Sequence, residues 1–225
     1  MTSSTADKGT VLITGAGRGL GAALAGLYAA AGFRVIACTR QGSADAPPLD
    51  VADADSIAVL GQRLQGQRID IAINNAAIRG DAGGLGSLSA DDFLEVMRVN
   101  ALAPLLIARA LRPNLLAGGR KVLVNISSRA GSLAEGTLDD DDGDYAYRCS
   151  KAAMNMATVK LAQDLRRDGI AVISLHPGWV RTDMGGEGAT IDAAESAAGL
   201  KALIDATTLA GTGSFRAYDG RAIAW

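Results

Sequence analysis

Tyr147 and Lys151 stand four residues apart in a stretch, Tyr145 to Arg167, whose pattern predicts a long helix ended by Gly169. At that spacing both side chains leave one helix face about a turn apart. An ammonium beside a phenol favours the phenolate and lowers the phenol pKa, and a phenol so tuned can act as general acid or base. Tyr145 offers the same hydroxyl, but the position four residues on is Cys149. Ser128 follows an apolar run, Lys121 to Ile126, and its hydroxyl can hydrogen-bond a carbonyl oxygen. Each feature also has a plain reading. A Tyr-x-x-x-Lys pair is common on helix surfaces, and a serine after a strand often caps a turn.

A second stretch supplies a place for a large anionic ligand. Thr14-Gly15-Ala16-Gly17-Arg18-Gly19-Leu20-Gly21 follows the apolar Val11-Leu12-Ile13 and opens into an Ala-rich helical segment, Leu20 to Gly32. Strand, glycine turn and helix together are the context of a dinucleotide site. One glycine permits the tight turn, another admits a pyrophosphate to the backbone, and a third lets helix and strand pack closely. The pyrophosphate would sit on free N–H groups at the positive end of the helix. With 28 glycines in the chain, an ordinary glycine-rich turn would look similar.

The remaining elements must bring these two stretches together. Strands are expected at Thr10 to Thr14, Arg34 to Thr39, Ile69 to Asn74, Lys121 to Ile126, Ile170 to Leu175 and Ser214 to Tyr218, with at most three residues of strand at Leu49 to Val51. Helices are expected at Asp53 to Leu64, with Asp53 or Asp55 as cap, and from a Ser89 cap through Asn100 to about Leu116, kinked at Pro104. A last helix runs from Asp192 to about Leu209. Strand and helix alternate with no repeat and no linker. The expectation is an α/β fold, one doubly wound parallel sheet (Rossmann fold) with helices on both faces, formed by residues 1–225 as a single domain. Ligands in such sheets bind at the carboxyl ends of the strands. The residues standing there are the glycine loop, Arg40, Asp50, Asn74-Asn75, Ser127-Ser128 and Pro177-Gly178.

Composition narrows the function classes. A chain of 225 residues with net charge −2 and scattered basic residues is not built as an electrostatic nucleic-acid binder. No apolar run approaches the roughly 18–20 residues of a membrane span, and Met1 to Gly9 lacks the apolar core of a signal peptide. Cys38 and Cys149 form no disulfide framework. A cytoplasmic protein is the expectation. The lone His176 gives no zinc ligand set, so no metal is expected.

These stretches carry a resemblance to the short-chain dehydrogenase/reductase family. Thr14 to Gly21, Leu49-Asp50-Val51, Asn74-Asn75-Ala76-Ala77, Asn100, Ser127 to Gly131, Tyr147-Arg-Cys-Ser-Lys151 and Pro177-Gly-Trp-Val-Arg-Thr182 come in the family's order. Tyr145 to Ala152, His176 to Gly185 and Tyr218-Asp-Gly-Arg221 are similar to the C-factor-like and sniffer-like carbonyl reductases. The resemblance implies a tetrad of Asn100, Ser128, Tyr147 and Lys151. Ser128 would hold the substrate carbonyl and Tyr147 would protonate it as hydride arrives from a nicotinamide. Lys151 would lower the tyrosine pKa and bind the ribose hydroxyls, and Asn100 would anchor a water. It implies cofactor contacts from Gly15, Gly17, Arg18, Gly19, Leu20, Gly21, Thr39, Arg40, Asp50, Val51, Asn75, Ala76, Ala77, Pro177, Gly178, Val180 and Thr182, besides Tyr147 and Lys151.

Two departures stand out. Ala77 occupies a place where the family usually has glycine. The interval from Ser128 to Tyr147 is longer than usual and includes Asp139 to Asp142, Gly143 and Asp144. An EF-hand loop starting at Asp139 would need glutamate at its twelfth position, where Ser150 stands, so a solvated acidic loop is the reading.

Cofactor choice follows from the end of the second strand. An NAD site usually carries an acid there, whereas this chain has Thr39 and then Arg40, with Arg18 in the glycine loop and Asp45 as the nearest downstream acid. NADP (NADPH) is expected over NAD. The expected function is NADPH-dependent reduction of a small-molecule ketone or aldehyde, or the reverse alcohol oxidation. The alternative is a cofactor-binding signalling or regulatory protein of C-factor type with incidental catalysis. Met184 to Thr190 is expected to be a short flap over the site, with Trp179 either lining the pocket or packing. The helices Ser89 to Leu116 and Tyr145 to Arg167 resemble the family's dimer helices, and a homodimer is expected.

Overall fold

The computed structural model describes residues 8–43, 45–136 and 143–225. The acidic stretch 139–142 lies outside them, so the expectation of a solvated loop there is left to sequence alone. Six strands, β1 (Thr10–Thr14), β2 (Arg34–Cys38), β3 (Ile71–Asn74), β4 (Val122–Ile126), β5 (Ala171–His176) and β6 (Phe215–Ala217), form one sheet in the order β2-β1-β3-β4-β5-β6. Every neighbouring pair is parallel. From β1 the chain first moves outward to β2, then returns to place β3 on the other side of β1. Loops after β1 and β3 therefore diverge and leave a crevice at the carboxyl edge, the usual ligand position in such sheets.

Helices cover both faces, which is why the strands read as continuous apolar runs rather than alternating ones. On one face Val11, Ile13, Ile71 and Ile73 pack under Leu24 and Tyr28 of α1 (Gly19–Ala30) and Leu200 and Ile204 of α6 (Ala193–Asp205). On the other, Leu12, Ala72, Leu123 and Val172 pack under Ile57 and Leu60 of α2 (Ala54–Arg63) and Ile107, Leu111 and Leu115 of α4 (Ala103–Ala117). Each fully buried Leu or Ile contributes about 1.5–3 kcal/mol relative to exposure.

The expected caps form: the Asp53 carboxylate accepts from Asp55 N–H, and Ser89 Oγ from Asp92 N–H. Three details differ from the sequence reading. Leu49 to Val51 is not a strand. The Leu49 N–H donates to the Thr39 carbonyl and the Asp50 N–H to Ser56 Oγ, so the segment turns into α2 and β2 remains the sheet edge. The long helix from Ser89 divides into α3 (Ala90–Met97), a π turn (Arg98–Leu102) and α4, so the irregularity comes from the π turn and Pro104 follows it. The last helix stops at Asp205, short of Leu209. The remaining helix, α5 (Tyr145–Asp164), continues into a 3₁₀ turn closed by Gly169 at φ 72°.

The amino edge of the sheet is fastened by Asp70, whose carboxylate accepts from the Thr10 and Gly119 N–H groups at 2.8 and 2.7 Å and from Arg68 Nε at 3.1 Å. Burial alone would raise its pKa, but the bonds from Thr10, Arg68 and Gly119 outweigh it and hold the carboxyl below its ordinary value. A depressed carboxyl contributes stability that is present above its unfolded pKa of about 3.9 and lost as pH falls through the folded value. Asp70→Asn is expected to cost about 1 kcal/mol near neutrality and to flatten the acid limb of the stability curve. Urea unfolding between neutral and acid pH checks it; an unchanged acid limb would refute the assignment.

Candidate active site

At the carboxyl edge the glycine loop closes against the loop after β3. Gly15 has φ 65°, and a Cβ there would lie 2.9 Å from the Ala76 Cα. Asn75 fastens the two loops, donating from Nδ2 to the Thr14 and Gly15 carbonyls at 2.9 and 3.2 Å. Thr14 Oγ1 accepts from both the Asn75 and Ala76 N–H groups at 3.0 Å. A Cβ on Gly21 would fall 2.2 Å from the Gly15 carbonyl oxygen, so only glycine lets α1 start so near β1. The N–H groups of Gly19, Leu20 and Gly21 donate to no described residue and face the crevice end of α1. This cradle fits the diphosphate of a dinucleotide. Leu20 packs its side chain on the core.

The segment after β5 comes over the same loop. Thr182 Cγ2 approaches Gly19, where a Cβ would meet it at 3.1 Å, and Arg18 forms an ion pair with Asp183, both exposed. Gly178 turns with φ 81°, the Pro177 carbonyl accepts from Ser196 Oγ, and Val180 pairs with Ile191. Trp179 is more than half exposed; its indole N–H donates to the Gly185 carbonyl, and its ring lies against Gly188, so it braces the 184–190 segment. At the other end of the crevice Gly17 lies against Thr39, and the exposed Arg40 makes no ion pair among the described residues. Asp50 makes local bonds, to Ala52, Asp53 and Ser56, beside the half-buried Val51. Ala77 is half-buried in the loop after β3.

The four residues of the expected tetrad converge. Ser128 follows β4, and its Oγ accepts from the Ala130 N–H at 3.1 Å while facing the Tyr147 phenol as a hydrogen-bond partner. Lys151 is 2% exposed, donates from Nζ to the Ile126 carbonyl at 2.9 Å and lies 5.6 Å from the Tyr147 ring centroid. Asn100, in the π turn, is fully buried. It accepts from the Ile78 N–H at 3.0 Å and donates to the Ile78 carbonyl and Ser150 Oγ at 2.7 and 3.0 Å.

The electrostatics correct one expectation. Tyr147 is raised above its ordinary value, first by burial and also by the Asp144 carboxylate, against the lowering by Ser128 and Arg79. Lys151 is not among the groups that set it. Burial has brought the lysine itself down to about 8, and its ammonium is turned to a backbone carbonyl. His176, at the end of β5, is pushed down to about 4, chiefly by burial and then by Arg129 and Arg221. No group of described His, Cys, Asp and Glu residues is arranged to hold a metal ion.

Sequence reasoning missed several residues that hold this arrangement. Ser150 links Asn100 to the helix, donating to the Tyr147 carbonyl at 2.7 Å. Arg79 and Asp144 form a bidentate pair at 2.8 and 2.6 Å that ties the loop after β3 to the start of α5, where Asp144 takes a left-handed φ of 58°. Asn155 lies four residues beyond Lys151 on the same helix face, and that continued spacing was the one available signal.

The short chain dehydrogenase family model matches residues 9–190. C-signal of Myxococcus xanthus is 41% identical over 157 residues, which is 70% of this chain and 93% of that protein. The NADPH-bound carbonyl reductase from chicken fatty liver superposes with a TM-score of 0.87 at 31% identity, covering 96% of this chain and 98% of its own. The carbonyl reductase Sniffer of D. melanogaster gives 0.82 at 27%, covering 96% and 99%. Similar structures include ones with NADP and ones with NAD bound.

Proposed function

Since the chain belongs to the short-chain dehydrogenase/reductase family of NAD(P)-dependent oxidoreductases, we propose that it reduces a ketone or aldehyde to the alcohol with NADPH, using Tyr147 as general acid. The observation that carries this reading is the convergence of Ser128, Tyr147 and Lys151 beside the glycine cradle. The bound cofactor supplies the hydride. Ser128 Oγ orients the substrate carbonyl, and Tyr147 Oη gives it the proton. A phenol held above its ordinary value of about 10 stays protonated at neutral pH, the state an acid catalyst of reduction needs. Lys151 stands by the phenol to hold ribose hydroxyls. Asn100, bonded to Ile78 and Ser150, fixes the back of α5 and anchors the water that returns the proton.

Gly15, Gly17, Gly19, Leu20 and Gly21 receive the diphosphate. Arg18, Thr39 and Arg40 receive the adenosine ribose and its 2′-phosphate. Asp50 and Val51 flank the adenine. Asn75, Ala76 and Ala77 line the middle of the crevice, and Pro177, Gly178, Val180 and Thr182 hold the carboxamide. The chain acts as one domain and as a homodimer. The dimer reading rests on Leu102 at the end of the π turn, Leu105 of α4 and Met156 of α5, all exposed, and on a groove of about 570 Å³ lined by Leu105, Lys160, Leu161, Gln163, Asp164 and Arg167. Among the described residues no helix is long and apolar enough to cross a membrane; a cytoplasmic location is part of the same reading.

NADPH oxidation against a panel of aldehydes and ketones tests the reaction. Consumption with at least one carbonyl compound is expected. Cofactor binding without turnover on any would instead favour the second reading, a cofactor-binding signalling protein, which the similarity to C-signal supports.

A further inference from the structure

We propose that Asn155 is a positioning residue for proton transfer: its buried carboxamide fixes Ser128 relative to Tyr147 by tying both flanks of the serine to the helix that carries the tyrosine. The inference rests on the reading of Ser128 and Tyr147 as the acid machinery. Asn155 is 4% exposed and belongs to α5, eight residues beyond Tyr147. Its Oδ1 accepts from Ser127 Oγ at 2.6 Å, on one side of Ser128. Its Nδ2 donates at 3.1 Å to the carbonyl of Gly131, on the other side. Gly131 closes the 3₁₀ turn that begins at Ser128, with its N–H donating to the Ser128 carbonyl at 3.0 Å. A third bond, from Ser174 Oγ at 3.3 Å, anchors the same oxygen to β5.

The turn is also pressed onto α5. A Cβ on Gly131 would lie 2.4 Å from the Lys151 carbonyl carbon, so backbone meets backbone there. Such a contact is free to slide along the helix. The directed bonds of Asn155 remove that freedom and set where along α5 the serine stands. Filling the space between sheet and helix needs only apolar volume, which the neighbouring Met154 and Ala157 supply. A polar group buried here, bonded to both flanks of one serine, restricts geometry instead.

The test is a double-mutant cycle on the full chain, with steady-state reduction of a carbonyl substrate from the panel and with NADPH affinity and urea unfolding measured alongside. Asn155→Asp keeps the size and the acceptor but cannot donate to Gly131. It is expected to lower kcat about ten- to a hundredfold, the scale of a displacement near 1 Å at a reacting group, with NADPH affinity changed by less than about twofold. In a Ser128→Ala background the same substitution is expected to cost less than about twofold more, because its effect passes through the serine. If Asn155→Asp does not fold, Ser127→Ala removes one of the three bonds and reads the same coupling. An equal fold-loss in both backgrounds would make Asn155 a stability residue and overturn the proposal, as would a folded variant with wild-type kcat. Full turnover in Ser128→Ala itself would instead overturn the reading of the site, and the positioning role with it.

Discussion

Tyr147→Phe is expected to bind NADPH as the unchanged protein does and to lose about 10²- to 10⁴-fold in turnover, the range of a general acid–base contribution. The substitution removes one oxygen. The ring stays half-buried, Ser128 keeps its bond from Ala130, and Lys151 keeps its bond to Ile126, so the cleft should hold its shape. The pH profile gives an independent reading. Burial holds the phenol above its ordinary value, so the protonated, active form persists into alkaline pH and activity falls only as pH rises through the folded pKa. In the phenylalanine variant that alkaline limb should vanish from the residual rate. A variant that keeps more than about a tenth of turnover with chemistry rate-limiting would remove Tyr147 from the donor role.

The second large effect is expected at Arg40. It follows β2, is exposed and makes no ion pair among the described residues, so its charge is available to a 2′-phosphate. Arg18 is engaged with Asp183 and must exchange that partner to take part. The nearest downstream acid does not compete, because Asp45 pairs with Arg34 at 3.1 Å, at the beginning of β2. A hydrogen bond to a charged group contributes about 1.5–3 kcal/mol, so Arg40→Ala should weaken NADPH about ten- to a hundredfold and leave NADH nearly unchanged. Titrating both cofactors into both proteins decides it. Tighter NADH binding by the unchanged protein, or the same ratio in the variant, would refute the preference.

How far the chain could be read depended on the range of each interaction. The β1–turn–α1 unit was legible because part of its constraint is local: Gly15 turns at φ 65° and Gly21 stands against the Gly15 carbonyl, whereas the crowding of Gly15 by Ala76 crosses from the loop after β3. The spacing of Tyr147 and Lys151 was legible because helical period alone puts them on one face. Leu49 to Val51 was read as at most three residues of strand, whereas bonds to Thr39 and Ser56 steer it into α2. Ser150, Asn155 and the Arg79–Asp144 pair escaped notice because each draws its meaning from partners brought close by the sheet. The fall expected for the tyrosine pKa did not appear, since spacing says nothing of burial, and burial acts most strongly on that phenol.

The π turn at Arg98–Leu102 makes this stretch one where the number of residues matters as well as their identity. A π turn holds one residue more than the α-helix it interrupts, and each residue advances a helix by about 100°. The extra residue sets α3 and α4 out of phase, so that Val96 and Asn100 point inward while Ile107, Leu111 and Leu115 still reach the sheet. Val99, Asn100 and Ala101 of the turn are buried, so their identities matter as well as their number. Losing any single residue between 98 and 102 would heal the helix into a regular one and swing α4 by about 100°, lifting its apolar stripe off the sheet. Among natural variants of this chain, insertions and deletions within these five residues should therefore be rare.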